Sequence, residues 1–123
     1  KLPEKAIRNP IEVIGLENQL VEESISENII IDPPIEGREI VVGGGAYFNV
    51  LVRSKTGKMF YEIKNGKEVM LQDIIILNSS YPHFSRVEFW LTFTDFKPGK
   101  TDIIFYEDAN REVEIGRTYI IMK

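Results

Sequence analysis

Residues 86–94, in the sequence RVEFWLTFT, alternate polar and apolar side chains without a break. Successive side chains of a β-strand point to opposite faces, so this pattern predicts a strand with one buried face. Trp90 falls in the polar phase, on the face opposite Val87, Phe89, Leu91 and Phe93. We expect it to belong to the core or to be covered by an adjoining segment, with an exposed aromatic ligand platform as the alternative.

Turn signals divide the rest of the chain into similar short segments. Asn65-Gly66 between apolar runs predicts a two-residue hairpin turn, and Pro98-Gly99 predicts a type II turn. The strands predicted from these signals cover residues 11–14, 29–31, 38–42, 47–53, 58–63, 67–77 with a break near Gln72, 86–94, 101–106 and 112–122. The predicted fold is an all-β, immunoglobulin-like antiparallel sandwich of seven to nine strands.

Three segments leave alternatives open. Leu16–Glu27 is compatible with a short helical turn near the N-terminus, or with a polar loop and a strand. Gly43-Gly44-Gly45 lacks the context of a phosphate-binding loop and predicts a bulge or a crossing between sheets. Gly116 keeps the strand phase, which favours a close backbone approach over a bulge.

The composition limits the classes of function. The 123 residues suit one domain, 1–123, with an irregular part at 1–36 and the main sandwich at 37–123. Cysteine is absent, which excludes disulfides and thiolate metal sites. The net charge of −4 argues against a nucleic-acid partner, and no apolar run is long enough for membrane insertion. A first residue of Lys1 indicates a processed or trimmed chain, so we expect an extracytoplasmic protein.

Alternate connections of an antiparallel sandwich lie at opposite ends. The tight turns Asn65-Gly66 and Pro98-Gly99 fall at one end, and three looser loops fall at the other. Such loops on a rigid scaffold commonly carry binding groups. The predicted partner-binding residues in these loops are Lys55, Thr56, Gly57, Tyr81, His83, Phe84, Asp108 and Asn110.

Catalytic groupings are weak. His83 is the single histidine, and a serine nucleophile would depend on it alone, with Ser79, Ser80 or Ser85 nearby. Glu107, Asp108 and Asn110 offer too few oxygens for calcium, which takes six to eight. We therefore expect a non-catalytic module with a protein partner and without a metal or cofactor.

The order of elements over residues 37–122 resembles chagasin-type inhibitors of papain-like cysteine peptidases. The family's Asn-Pro-Thr-Thr-Gly loop corresponds to Ser54-Lys55-Thr56-Gly57, followed by the aromatic strand at Phe60-Tyr61. The family's Gly-rich loop corresponds to 79–85, which lacks glycine, and its Arg-Pro-Trp corresponds to 106–110. The resemblance implies that these three loops enter a peptidase cleft. The Lys-Pro-Gly-x-Thr turn at 97–101 is also similar to that of bacterial Ig-like domains.

Overall fold

The computed structural model describes residues 6–16 and 27–123. All regular secondary structure in these residues is extended. The strands are β1 (Ala6–Gly15), β2 (Ile29–Ile31), β3 (Arg38–Ile40), β4 (Gly45–Val52), β5 (Lys58–Asn65), β6 (Glu68–Ile76), β7 (Ser85–Phe93), β8 (Gly99–Tyr106) and β9 (Glu114–Met122). The predicted all-β class is confirmed, while the alternatives for Leu16–Glu27 lie outside the described residues except at the two ends.

The strands form two sheets that face each other. One sheet has the order β1-β7-β4-β2 and the other has the order β3-β9-β8-β5-β6. Neighbouring strands are antiparallel except for β3 and β9, which run parallel. Strands β9, β8 and β5 follow the G-F-C order of an immunoglobulin sandwich, and β2, β4 and β7 take the places of A, B and E. The place beside β7 is filled from the N-terminal part of the chain, by β1.

The core lies between the sheets and is built from alternate residues of each strand. The inward side chains of β7, from Val87 to Phe93, are fully buried, as the alternation predicts. Phe89 stacks on Phe48 with ring centroids 5.1 Å apart and on Tyr61 at 5.7 Å. Each such side chain contributes roughly 1.5–3 kcal/mol of burial free energy, so this aromatic cluster holds the two sheets together.

Different contacts close the two sides of the sandwich. At one side Arg8 of β1 donates from Nε to Oδ2 of Asp73 on β6 over 2.6 Å, and the Tyr61 hydroxyl donates to the same oxygen over 2.8 Å. At the other side Ile29 of β2 lies against Gly116 of β9, where an added Cβ would come within 2.3 Å of Ile29 Cγ2. The close approach predicted at Gly116 is confirmed, and the β8–β9 register also shifts beside it.

The glycine run and the Asn-Gly turn illustrate how local residues place the strands. The segment Gly43-Gly44 carries the chain from β3 in one sheet to β4 in the other, which confirms the predicted crossing. The hairpin loop between β5 and β6 is Gly66-Lys67, one residue later than predicted. Of these two loop residues only Gly66 has positive φ, as the first position of a type II′ turn requires. Asn65 stays in the strand and binds the backbone of Lys97.

Two predictions about individual strands were wrong. Strand β6 is continuous through Gln72, and its irregularity is a register shift opposite the Ile63/Lys64 step of β5. Trp90 is 42% exposed on the outer face of the four-stranded sheet and is not a core residue. No described segment covers it, because the facing sheet packs only on the opposite side of β7.

Candidate functional site

The strand register places three loops at one end of the sandwich. They are the first loop (53–57), the second loop (77–84) and the third loop (107–113), and we call this part of the surface the three-loop end. The last residue of β4, Val52, pairs with the first residue of β7, Ser85, so the first and second loops start side by side. Strand β5 pairs with β8, and Phe60 near the start of β5 lies opposite Tyr106 at the end of β8. This pairing brings the third loop to the same end of the sandwich. The predicted clustering of the loops is therefore observed.

Hydrogen bonds join the first loop to the third. The backbone amide of Lys55 donates to Oε1 of Glu107 over 2.6 Å, and the Thr56 hydroxyl donates to the Glu107 carbonyl over 2.7 Å. Within the first loop, the buried Ser54 hydroxyl lies 2.9 Å from the Thr56 hydroxyl, and the Gly57 amide donates to the Ser54 carbonyl. Thr56 is consequently a structural link of this end, and its side chain faces the third loop.

The first and second loops enclose a shallow hollow. The Leu77 amide donates to the Gly57 carbonyl over 3.0 Å and fixes the base of the two loops. The hollow has a volume of about 380 Å³ and lies between Ser54–Gly57 on one side and Leu77–Tyr81 on the other. Lys55 and Tyr81 stand at its rim, with the Lys55 ammonium 5.7 Å from the centre of the Tyr81 ring.

Arg53 organises the second loop, a role that the sequence patterns did not predict. Its guanidinium lies 4.7 Å from the ring centre of Phe84 and 5.5 Å from that of Tyr81, within cation–π range. It also donates to the Asn28 side chain and to the Pro82 carbonyl, and the residue is only 7% exposed. No local sequence signal identifies this role, because Tyr81 and Phe84 lie about thirty residues away along the chain.

The side chains of the second loop differ in what they offer to a partner. Tyr81 is 40% exposed and Phe84 is partly buried under Arg53. The His83 amide donates to the Ser80 carbonyl, while its Nδ1 atom is buried without a hydrogen-bond partner among the described residues. Tyr81 is thus the large apolar side chain of this loop that a partner can reach.

The serines near His83 hold the loop in place. The Ser79 hydroxyl accepts from the Leu16 amide over 2.9 Å, and the Ser85 hydroxyl accepts from the Ser79 amide over 3.1 Å. Both serines are buried. These contacts assign Ser79 and Ser85 a structural role at the base of the second loop.

The third loop is folded around Asp108. Its carboxylate accepts from the backbone amides of Val113 and Glu112 at 2.9 and 3.0 Å. These hydrogen bonds, with that from Val113 the strongest contribution, hold the pKa of Asp108 below its usual value. Asp108 shapes its own loop, whereas Asn110 is exposed at the tip. In the described parts of the chain, no three His, Cys, Asp or Glu side chains lie close enough together to hold a metal ion.

Comparisons with known proteins give a distant likeness. No family model and no curated protein matches the chain. Among solved structures, it is similar to the fibronectin(III)-like modules of CbhA from Clostridium thermocellum, at 21% identity over 77% of this chain and 45% of that chain, with a TM-score of 0.41. It is also similar to an MSP family member from C. elegans, at 15% identity over 78% of this chain and 96% of that chain, with a TM-score of 0.41.

The chain spans less than half the length of the CbhA chain that it matches. Its assignment as an immunoglobulin-like sandwich rests on the strand order and register described above. No helix capable of crossing a membrane occurs among residues 6–16 and 27–123.

Proposed function

We propose that this chain is a non-catalytic module that binds a protein partner through the three-loop end, outside the cytoplasm. The observation that carries the proposal is the set of hydrogen bonds that joins the three loops into one surface. Lys55 and Thr56 are tied to Glu107, and Leu77 is tied to Gly57. Loops fixed in this way lose less conformational freedom on binding, which favours affinity.

Tyr81 and Lys55 are the proposed contacts at the centre of this surface. Tyr81 offers an exposed aromatic ring at the rim of the hollow, and aromatic residues dominate the energetics of many protein interfaces. Lys55 adds an exposed positive charge beside that ring. Truncation of Tyr81 to alanine is expected to weaken partner binding by at least about tenfold.

Site-specific photo-crosslinking tests the proposal. A photoreactive phenylalanine analogue is placed at Tyr81 in one sample and at Lys67, in the hairpin at the opposite end, in a matched sample. Both are exposed to the exported proteins of the source organism. A partner captured from position 81 and absent from position 67 supports the proposal. A partner captured from position 67 alone would place the binding surface at the opposite end of the sandwich and would contradict the proposal.

A second candidate is inhibition of papain-type cysteine peptidases, and the position of the first loop favours it. This loop lies between the other two and is bonded to both, so it could enter a cleft as a rigid unit. Titration of papain and of a cathepsin with the purified domain tests this function. Inhibition in the micromolar range that weakens in Thr56→Ala and Gly57→Ala variants is expected. Full peptidase activity at that concentration would remove the candidate.

A further inference from the structure

Trp90 is the single tryptophan of the chain and lies on a solvent-facing sheet surface. Strand β7 is an inner strand, and Trp90 is paired with Asn9 of β1 on one side and Tyr47 of β4 on the other. Its backbone is therefore held in register from both sides. The result is a rigid aromatic position near the middle of the outer face of the four-stranded sheet.

Gly45 makes room for the indole. A Cβ atom at this position would lie 2.5 Å from Trp90 Nε1, 2.8 Å from Trp90 Cε2 and 2.7 Å from the Leu91 carbonyl oxygen. The indole thus extends over the β4 backbone at a place where any other residue would collide with it. The β4 backbone at Gly45 supports one side of the indole, and the Trp90 residue as a whole is 42% exposed.

The groups around the indole are suited to hydroxyl-rich ligands. Asn9 stands next to Trp90 in the same cross-strand row, and Asn49 occupies the next row of β4. Directly opposite Cβ atoms in a sheet are about 5 Å apart, so the row of Asn9, Trp90 and Tyr47 spans about 10 Å. Neither amide side chain is engaged by a described residue, so each offers two donors and one acceptor.

The charges on this face select against anionic ligands. The rows above Trp90 carry Glu12, Glu88 and Arg86, which sum to −1. The negative face of an aromatic ring attracts the weakly positive C–H groups of a pyranose, whose hydroxyls can bond the neighbouring amides. We infer that the outer face of the four-stranded sheet around Trp90 is a second binding site, which takes a neutral saccharide. This site is separate from the three-loop end and does not depend on its function.

Intrinsic fluorescence tests the inference directly, because the only indole is the proposed contact. The folded chain is titrated to about 10 mM with cello-, xylo-, manno- and chito-oligosaccharides, and with oligogalacturonate as the anionic probe. Depletion on insoluble cellulose and chitin covers longer chains. We expect a saturable change of Trp90 emission, or depletion, with at least one neutral saccharide and none with oligogalacturonate.

Substitutions on the two sheets separate binding at Trp90 from binding elsewhere on the chain. Trp90→Ala should weaken binding by at least about tenfold, and Asn9→Ala by about threefold to tenfold. Ile76→Ala, which changes an exposed apolar residue on the other sheet, should bind like the unmodified chain, and circular dichroism checks that all variants are folded. Absence of response to every neutral saccharide, or binding that survives Trp90→Ala, would overturn the inference. Concentration-dependent self-association lost in Trp90→Ala, without saccharide binding, would instead assign this face to contact between copies.

Discussion

Replacement of Asp73 by alanine should destabilise the domain far more than its modest burial suggests. Asp73 accepts hydrogen bonds from Arg8 and from the fully buried Tyr61 hydroxyl. It therefore connects β6 to β1, the strand that fills the sheet edge beside β7. The substitution removes one acceptor that two donors share.

The size of the effect follows from the fate of the two donors. The Tyr61 hydroxyl would remain buried without a partner, which costs about 1–3 kcal/mol. Arg8 is partly exposed, with 20% of its side chain accessible, so water can replace its partner and the loss there stays below about 1 kcal/mol. The expected total is about 1–4 kcal/mol. For a domain of this length that corresponds to a melting temperature lowered by roughly 4–16 °C.

Urea and thermal unfolding of Asp73→Ala and Asp102→Ala measure the difference. Asp102 lies on the outer face of the same five-stranded sheet, in β8, where it makes an exposed ion pair with Lys100 at 3.7 Å. Its loss should cost less than about 0.5 kcal/mol. Adding Tyr61→Phe to Asp73→Ala should recover part of the stability, because the unpartnered hydroxyl is removed. Equal destabilisation by the two aspartate variants would refute this reasoning.

Three further predictions concern pH, packing and the loops. Burial of Asp73 favours its neutral carboxyl, but its hydrogen bonds outweigh this effect and keep the pKa of Asp73 below its usual value. The contribution of Asp73 to the stability of the fold is therefore complete above about pH 4, and it is lost as the pH falls through the folded-state pKa. Urea unfolding should accordingly show the gap between the unmodified chain and Asp73→Ala shrinking in acid, and a constant gap would contradict this. Gly116→Ala should cost about 1–3 kcal/mol in thermal unfolding through its collision with Ile29, and Ile29→Ala in the same chain should restore part of it. Thr56→Val removes the hydrogen bond to Glu107 and should speed amide exchange in the first loop, whereas unchanged exchange would mean that this bond does not order it.

Much of the fold was predictable because most strands have one solvent-facing side and one buried side. Strand β7 alternates through its whole length, and its inward residues are buried as predicted. Loop parity then placed Thr56, Tyr81 and Asp108 at one end, because each hairpin reverses the chain. Position along the chain carried this information without any knowledge of side-chain contacts.

The unpredicted features depend on contacts between residues distant in sequence. Trp90 shares a strand with buried residues, but its own exposure depends on whether another segment covers the outer face of the sheet. No segment among the described residues does so. The burial of Arg53 depends on Tyr81 and Phe84, about thirty residues away. The long strand β1 exists because β7 offers a free edge, which local sequence around Pro10 does not reveal.

The most direct measurement for the proposed function is a map of amide chemical-shift changes when the partner captured from position 81 is added to the labelled domain. The largest changes should fall in residues 53–57, 77–84 and 107–113, and Tyr81→Ala should reduce affinity at least about tenfold. Changes centred on Gly66-Lys67 and residues 94–98, at the opposite end of the sandwich, would contradict the assignment of the three-loop end as the binding surface.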